Sequence, residues 1–153
     1  MTSSSPEDFR AKTGLEQLRE LFPSDAPPSC PWMGNTLNFD YVEIAEGRVV
    51  FGATPDERFY NRMGTVHGGY TASLLDSAAG CAVHSKLRAA QGYTTLELKV
   101  AYHRAISSST GPLRAEGRAI QVGARVAFGE ASLRDLHSTL YASASTTCLV
   151  FPR

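Results

Sequence analysis

The most informative stretch of the chain is Asn61-Arg-Met-Gly-Thr-Val-His67-Gly68-Gly69, followed by Tyr-Thr-Ala-Ser-Leu-Leu-Asp76. Two adjacent glycines close a turn and begin roughly twenty residues without proline, which predicts the longest helix of the chain. The first backbone N–H groups of a helix have no partner within it, and glycine lets another group approach them closely. The pattern therefore indicates a helix N-terminus that can bind an anion or polarise a carbonyl group.

Asp76 is the only charged residue of this helical segment near its start. It follows Gly69 by seven residues, close to two turns, so both lie on one face, about 10 Å apart along the axis. The residues one turn away from it are all small: Ala72, Ser73, Ala79 and Gly80. A carboxylate among apolar residues is costly unless a partner meets it, which favours a functional role. A solvated carboxylate, or one that caps a neighbouring loop, is the alternative that the pattern leaves open.

The pattern Asn-x-x-Gly-x-x-His-Gly-Gly, with an aspartate seven residues after the last glycine, resembles that of the hotdog-fold acyl-CoA thioesterases. The similarity covers residues 36–150 and is closest to the branch of phenylacetate-pathway and 4-hydroxybenzoyl-CoA thioesterases. It implies an α+β hotdog fold, in which an antiparallel sheet of about five to six strands wraps around one long central helix. We expect residues 1–35 to form an N-terminal helix and a proline-rich connection, and residues 36–153 to form the hotdog domain.

The composition is that of an ordinary globular domain. The chain has 153 residues, of which 42% are hydrophobic, and 15 basic residues balance 15 acidic ones. No charge excess favours nucleic acid or a membrane surface, and no run is long enough to span a bilayer. The N-terminus lacks a secretory pattern, and three widely spaced cysteines (Cys30, Cys81 and Cys148) fit a reducing compartment. We expect a cytoplasmic protein with no nucleic-acid or membrane partner.

Hydrophobic periodicity and turn residues predict the other elements. Ser5 and Pro6 begin an amphipathic helix that ends before Pro23. This helix either packs on the domain or forms a flap in which Trp32 and Met33 close the acyl pocket. The central helix is expected to end near Ala90. Six strands are predicted, two before this helix and four after it, at residues 37–44, 48–53, 94–104, 113–122, 125–134 and 141–150.

Thioester cleavage needs a donor that polarises the carbonyl oxygen and a group that delivers water. The N–H of Gly68, or that of Gly69, can serve as the oxyanion donor. Asp76 can act as a general base or as a nucleophile, and the sequence does not separate the two. One helix can hardly bring both groups to the same carbon, and in the resembling family the helices of paired subunits lie side by side. The resemblance thus implies a homodimer with shared active sites, paired into a homotetramer.

The resemblance assigns roles to Asn61 and Thr95, and the sequence gives two further candidates, His67 and Glu97. Asn61 would contact the substrate carbonyl or position water, unless it only forms a turn. Thr95 would hold water near the carboxylate, unless it is an ordinary strand residue. His67 is expected to bond the loop rather than to act as an acid or base. Glu97 is expected on the same strand face as Thr95, where it would touch the acyl group unless it is simply exposed.

Coenzyme A carries phosphates, so basic groups are expected around the entrance to the site. The resemblance implies that coenzyme A is contacted by Tyr102, His103 and Arg104 at a strand end near the pantetheine path, and by Val122, Gly123 and Arg125 in a tight turn. Each arginine can equally be a plain surface charge. The acyl pocket is expected to be lined by Trp32, Met33, Phe59, Tyr60, Tyr70 and Leu74.

Other chemistries find no support in the sequence. It lacks the Gly-x-Ser-x-Gly elbow and the phosphate-binding Walker loop, and its histidines lack metal-ligand spacing, so no metal or other cofactor is expected. Cys81 and Cys148 are expected to be buried packing residues. The function indicated is hydrolysis of aromatic or medium-length acyl-CoA thioesters. The alternatives are a non-catalytic acyl-CoA-binding or sensing protein, which would not need Asp76, and a hotdog hydratase or dehydratase, which pairs histidine with a carboxylate.

Overall fold

The computed structural model describes residues 5–23 and 32–153. Its helices are α1 (Pro6–Arg10), α2 (Gly14–Leu21), α3 (Met33–Thr36) and α4 (Gly68–His84). Its strands are β1 (Phe39–Ala45), β2 (Arg48–Ala53), β3 (Gln91–Tyr102), β4 (Leu113–Val122), β5 (Val126–Asp135) and β6 (Leu140–Pro152). Each strand agrees with its predicted bounds to within three residues at either end. Short 3-10 turns lie at Glu57–Phe59 and Ser108–Thr110.

The six strands form one antiparallel sheet in the order β1-β2-β4-β5-β6-β3, so β1 and β3 are its edges. In the regular stretches of the strands, alternate residues face α4, because successive side chains of a strand point to opposite faces. In β4 the inward residues Leu113 and Ala115 are buried, whereas Arg114 is exposed. The expected hotdog fold, a sheet around one long helix, is confirmed.

The core lies between α4 and the sheet. Ala78 and Ala79 are fully buried, and such small residues let the helix lie close against the strands. Leu74 and Leu75, also fully buried, fill the space toward Phe51 and the neighbouring strands. Burying each side chain of that size contributes roughly 1.5–3 kcal/mol. This packing fixes the position of the helix that carries the candidate site.

The single N-terminal helix predicted from the sequence is in fact two, α1 and α2. The predicted start is confirmed, since the Ser5 side chain accepts a hydrogen bond from the Asp8 N–H. The interruption comes at Thr13, whose N–H donates to the Glu16 carboxylate at 2.8 Å while its hydroxyl accepts the Glu16 N–H. This capping box starts a new helix and ends the continuity of the first.

The central helix ends at His84, and the predicted end near Ala90 is wrong. The segment that follows binds the N-terminal helices instead: the Leu87 carbonyl accepts the Gly14 N–H at 3.0 Å, and the Ala90 N–H donates to the Arg10 carbonyl at 2.9 Å. Ala90 has a φ of 58°, which a helix does not allow. The N-terminal helices therefore pack on the domain, as the first of the two interpretations held.

Two sequence-based expectations remain outside this description. Most of the proline-rich connection, including Cys30, lies outside the described residues, and the division of the chain at residue 36 stays a prediction. Within the described ranges, none of the helices combines the length and the apolar character that a membrane crossing requires.

Candidate active site

The start of α4 is organised by His67, the residue just before the helix. Its backbone is extended, and its Nδ1 accepts the Gly69 N–H at 2.9 Å. An imidazole nitrogen that accepts a hydrogen bond carries no proton, so the Nε2–H tautomer is present. His67 thus acts as the helix cap: its ring bonds the first turn of α4 rather than the loop, and its part in the chemistry stays a prediction. The same bond occupies the Gly69 N–H.

Gly68 supplies the N–H that remains available. No acceptor meets this group anywhere in the described part of the chain, and it points out from the positive end of a 17-residue helix. The Tyr102 hydroxyl donates to the Gly68 carbonyl at 2.9 Å. A Cβ atom on Gly68 would lie 3.2 Å from the Tyr102 ring and hydroxyl, so residue 68 is held closely beneath that side chain.

A cavity of about 330 Å³ opens beside this helix end. Gly68, Tyr102, His103 and Arg104 are among the residues that line it. The His103 ring bonds the Ser143 hydroxyl at 2.9 Å, and the His103 and Arg104 N–H groups both donate to the Tyr141 carbonyl. The structure therefore brings together the predicted oxyanion donor and the three strand-end residues expected to contact coenzyme A.

Asp76 lies on the face of α4 that is directed toward β3. Its carboxylate is half-buried, and Oδ1 accepts a hydrogen bond from the Thr95 hydroxyl at 3.1 Å. Of the two interpretations of Thr95, the one that pairs it with the carboxylate agrees with this contact. Because β3 is an edge strand, this face of the helix lies at the side of the sheet that has no further strand.

Gly68 and Asp76 are eight residues apart on one straight helix, about 12 Å along its axis. A carbonyl carbon that accepts a hydrogen bond through its oxygen lies about 4 Å from the donor nitrogen. The two groups of one chain therefore cannot act on the same carbon.

The sequence profile of the Thioesterase superfamily matches residues 63–142, more than half of the chain. The chain belongs to the Thioesterase superfamily. The matched region runs from just before α4 to the beginning of β6 and so contains Gly68, Asp76 and Thr95.

The chain is also similar to individual proteins, in sequence or in fold. A Halobacterium salinarum protein, provisionally named an esterase, is 39% identical over 72 residues, which is 46% of each chain, so the chain spans less than half of that relative's length. A Ralstonia eutropha structure, titled as a thioesterase related to phenylacetic acid degradation, is 26% identical with a TM-score of 0.73, covering 86% of this chain and 96% of that one. A Streptococcus mutans protein solved with acetyl-CoA bound is 21% identical with a TM-score of 0.68, covering 85% and 96%.

In this member of the superfamily, Asn61 organises the loop before α4. Its Oδ1 accepts the Met63 N–H at 2.8 Å and, at 3.4 Å, the Thr65 N–H, and its Nδ2 donates to the Thr65 hydroxyl at 3.0 Å. This arrangement agrees with the turn-forming interpretation. A contact of Asn61 with substrate stays a prediction.

Glu97 lies on the opposite face of the sheet from Thr95, so the expectation of a shared face is wrong. The register of β3 against β6 shifts between these two residues: Thr95 pairs with Cys148, which faces α4, whereas Glu97 pairs with Thr147. The Glu97 carboxylate accepts the Thr147 hydroxyl at 2.9 Å on the face away from the helix. An irregularity of the strand separates the two side chains.

The turn expected to meet the nucleotide lies at the other end of α4. Val122 packs against the buried cluster that contains Val83 and Leu87, and the Gly123 N–H donates to the Val126 carbonyl at 2.9 Å. Arg125 is exposed, and its carbonyl accepts the Val150 N–H. Val83 follows Gly68 by fifteen residues, about 22 Å along the helix. One chain therefore does not bring this turn to the cavity beside Gly68.

The six residues expected to line the acyl pocket do not form one pocket in the described chain. Trp32 belongs to an aromatic cluster with Phe22, Tyr41 and Phe51. Phe59 and Tyr70 contact each other at 4.6 Å between ring centroids, and Leu74 is fully buried. Tyr60 bonds Ser108, and Met33 is 58% exposed. Phe59 and Tyr70 are the members of the set that contact each other near the start of α4.

The cysteines near Asp76 do not compete with it as nucleophiles. Burial, with the negative charge of Asp76, raises the pKa of the Cys81 thiol to about 12. Burial also raises the pKa of Cys148, which is fully inaccessible. Both thiols stay protonated at neutral pH, so the packing role expected for Cys148 is confirmed and Cys81 is half-buried. Among the described residues, no group of histidine, cysteine and carboxylate side chains could hold a metal ion.

One contact of the site was missed by the sequence analysis, the bond from the Tyr102 hydroxyl to the Gly68 carbonyl. The two residues are 34 positions apart, and the bond depends on the way β3 returns past the start of α4. No local pattern indicates such a contact.

Proposed function

We propose that this protein hydrolyses acyl-CoA thioesters to the free acid and coenzyme A, in a homodimer whose two active sites are each shared between subunits. One observation carries the proposal: a helix presents a Gly68 N–H that meets no acceptor among the described residues and, about 12 Å further on, a carboxylate bonded to Thr95. Membership of the Thioesterase superfamily supports thioester hydrolysis. The acetyl-CoA bound to the Streptococcus mutans relative supports coenzyme A as the leaving group.

In a two-fold symmetric dimer, the Gly68 N–H of one chain can meet the carboxylate of the other, although the two groups of one chain lie too far apart. If Gly68 faces the partner subunit's Asp76, symmetry also places Asp76 opposite the partner subunit's Gly68. Both contacts can exist only if the two α4 helices run antiparallel. Asp76 faces β3, which is an edge of the sheet, so pairing of two copies at their β3 edges would lay the helices side by side. Each site would then contain one amide donor and one carboxylate from different chains.

The same arrangement accounts for the distant turn that contains Gly123 and Arg125. In an antiparallel pair, the partner subunit's helix continues past Gly68 for the seven residues from Asp76 to Val83, about 10 Å. We propose that this continuation brings the partner subunit's turn, which packs on the cluster containing Val83, to the cavity lined by His103 and Arg104. Arginines from both chains would then surround the phosphates of coenzyme A.

In the general-base route, Asp76 and Thr95 hold a water molecule against the thioester carbonyl carbon. Asp76 removes a proton as the water oxygen forms its bond to carbon, and the carbonyl oxygen, now negative, accepts the partner subunit's Gly68 N–H. The carbon–sulfur bond then breaks, the thiolate of coenzyme A leaves, and the proton on Asp76 passes to solvent or to the thiolate. Thiolates leave readily, so no dedicated acid is needed.

In the nucleophilic route, an Asp76 oxygen attacks the same carbon and the thiolate of coenzyme A leaves, which forms a mixed anhydride. Water then attacks the anhydride and releases the acid and the carboxylate. Both routes use the same donor and the same carboxylate. Single-turnover hydrolysis in ¹⁸O-labelled water separates the general-base route from attack of water on the Asp76 carbon of the anhydride, because only the latter places label in Asp76 and leaves the acid unlabelled.

The alternatives explain fewer of these contacts. A non-catalytic acyl-CoA-binding or sensing protein would need the basic groups but not the bond between Thr95 and Asp76. A hydratase or dehydratase would need a histidine paired with a carboxylate, whereas His67 is used as the helix cap and no carboxylate bonds to it in the described part of the chain. Thioester hydrolysis uses both the free N–H and the positioned carboxylate.

The acyl group and the higher assembly are further parts of the proposal. The aromatic contact of Phe59 with Tyr70 near the start of α4 favours an aromatic or medium-length acyl chain. For the homotetramer, the outer face of the sheet has a groove of about 470 Å³, where Ser145 lies between Lys99 and Glu130. Small residues flanked by charges of both signs suit contact with a second copy.

The proposal is tested by following coenzyme A release with a thiol-detecting reagent over a panel of aromatic and straight-chain acyl-CoAs. We expect the wild-type protein to hydrolyse at least the aromatic members and Asp76→Asn to lose at least about a hundredfold in kcat. Asn keeps the shape of the side chain, so thermal unfolding of the variant should match that of the wild type. Wild-type turnover by Asp76→Asn would show the assignment to be wrong.

A further inference from the structure

The register of β3 against β6 contains one extra residue next to the proposed catalytic carboxylate. Thr95 pairs with Cys148 and Glu97 pairs with Thr147, so Leu96 has no partner in the ladder and is 59% exposed. Such a β-bulge bends a strand and re-aims its side chains, and bulges are common at sheet edges and beside active sites. Here the strand is an edge of the sheet.

The bulge decides which way Thr95 points. Further along the strand, Leu98 and Val100 pack against the core and so face α4. In a regular strand, residues at odd positions such as Thr95 would then face away from the helix, because side chains alternate. The extra residue reverses the alternation, so that Thr95 faces α4 together with its partner Cys148. Only for this reason can its hydroxyl reach Asp76.

Thr146 holds the bulge from the neighbouring strand. Its side chain is buried, with 4% of its surface exposed, and its hydroxyl donates to the Glu97 carbonyl at 2.8 Å. A bulge interrupts the ladder of backbone hydrogen bonds, and a buried carbonyl left without a donor is costly. The Cys148 sulfur lies 3.9 Å from the same hydroxyl. Thr146 therefore supplies a donor at the point of the bulge.

We propose that Thr146 is a positioning residue for the hydrolysis proposed above: by binding the Glu97 carbonyl it fixes the bulge that aims Thr95 at Asp76. This inference rests on the proposed function. Thr146 acts through β3 and not through substrate, since its hydroxyl is occupied on the buried side of the strand.

The chain offers a matched control in the next residue. Thr147 also donates its hydroxyl to Glu97, but to the side-chain carboxylate, at 2.9 Å and on the outer face. Thr146→Val and Thr147→Val each replace one hydroxyl by a methyl group on the same strand. We expect Thr146→Val to lower kcat about tenfold with KM unchanged, and Thr146→Ser to stay within about twofold of wild type. Thr147→Val should leave both constants unchanged.

A double-mutant cycle tests whether Thr146 acts through Thr95. Thr95→Val removes the bond to Asp76 directly, so adding Thr146→Val to it should lower kcat no further. If Thr146 had a purely structural role, the two substitutions would instead lower kcat by factors that multiply. The recovery in Thr146→Ser would then not be confined to kcat. Multiplicative effects, or an equal loss in Thr147→Val, would overturn the inference.

A crystal structure of Thr146→Val gives a readout that does not depend on turnover. The inference expects β3 to lose the shift between Thr95 and Glu97, or Thr95 to turn away from Asp76. If the bulge and the Thr95–Asp76 bond both persist, the inference is wrong, whatever the activity. If the wild-type protein hydrolyses no acyl-CoA, the proposed function fails, and this structure still decides whether Thr146 sets the position of Thr95.

Discussion

The two ends of α4 differ in how completely their backbone groups are satisfied. At the N-terminal end, His67 caps Gly69 but the Gly68 N–H has no acceptor within the described residues, and a cavity lies beside it. At the C-terminal end, the buried Ser85 hydroxyl donates to the Ala82 carbonyl and accepts the Gly47 N–H, both at 2.7 Å. We call the N-terminal end of α4 the open end and its C-terminal end the closed end.

The closed end is also covered by the N-terminal helices. Gln17 is buried, its Nε2 donates to the Lys12 carbonyl, and its Oε1 accepts the His84 Nε2–H at 3.0 Å. Unsatisfied backbone groups cost stability unless water or a ligand meets them. The difference agrees with the proposal that the open end binds an anionic oxygen, while the closed end stabilises the fold. Loss of the Gly68 N–H at the open end should accordingly lower turnover, whereas overpacking at the closed end should lower stability.

The largest expected effect is that of Gly68→Pro on turnover. Proline has no N–H but is well tolerated at the first position of a helix, and the extended backbone of His67 suits the residue before a proline. Loss of one oxyanion donor lowers kcat by about 10²–10³. Steady-state kinetics with the best acyl-CoA of the panel should show this loss, with the unfolding midpoint close to that of the wild type.

Gly68→Ala is the matched control, because it adds a Cβ beneath Tyr102 but keeps the N–H. It should retain at least ten times more activity than Gly68→Pro, and equal losses would assign the effect to crowding. Heterodimers of Gly68→Pro with Asp76→Asn, purified through two tags, should regain about half of wild-type activity, since one of their two sites is intact. Inactive heterodimers would contradict shared sites.

At the closed end, Gly14→Ala should lower stability without changing the chemistry. A Cβ atom at residue 14 would lie 1.7 Å from the His84 carbonyl oxygen, so α2 would have to move away from α4. Overpacking of this kind costs about 3 kcal/mol, although alanine by itself favours a helix. Urea unfolding should show the loss, while kcat of the folded fraction stays that of the wild type.

Arg19→Ala is the control for this prediction, because residue 19 lies on the exposed side of the same helix. It should change the free energy of unfolding by less than about 0.5 kcal/mol. A Gly14→Ala protein that is as stable as the wild type but has lost turnover would mean that the closed end takes part in function.

Some features of the fold and of the candidate site could be predicted from the sequence, and others could not. The bounds of β2 and β4 agree with their predictions at both ends, and the start of α4 at Gly68 was indicated by the two glycines. These features depend on neighbouring residues: alternation of apolar side chains for strands, and turn residues for boundaries. Asp76 could be selected as a candidate for the same reason, since its place on a small-residue face follows from helical spacing alone.

The features that were missed depend on residues far apart in the chain. The end of α4 at His84 follows from contacts of Leu87 and Ala90 with the N-terminal helices, which a window of sequence does not contain. The side of β3 on which Glu97 lies was predicted wrongly because alternation assumes a regular strand, and a bulge reverses it. The sequence could therefore name the catalytic candidates but not the orientation of the strand that meets them.

The closed end also predicts a pH dependence of stability. Burial, with the positive charge of Arg153, lowers the pKa of His84 from 6.5 to about 4. The unfolded chain then binds a proton that the folded one does not, so stability is fully present above pH 6.5 and falls as the pH drops toward 4. The loss from this residue reaches at most about 3 kcal/mol. Urea unfolding at half-unit pH steps should measure it.

His84→Gln removes the titrating group and keeps a donor for Gln17. Its stability should be flat over the upper part of this window, from pH 6.5 to 4.5. Carboxylates such as Glu116, whose pKa is lowered by its bond to Arg48, lose their contribution only below the ordinary value of 4.5. An unchanged slope in His84→Gln would assign the pH dependence to another group.

The smallest expected effect is at the open end, where His67→Ala removes the cap of α4. Losing a helix cap costs about 1 kcal/mol, and asparagine is among the best caps, so His67→Asn should recover most of the loss. Both should retain turnover within about threefold of wild type, since His67 holds the Gly69 N–H rather than substrate. Thermal unfolding and kcat of the two variants give the comparison. If His67→Asn regained stability but stayed inactive, the imidazole would have a part in proton transfer, and the open end would contain an acid or base besides the amide donor.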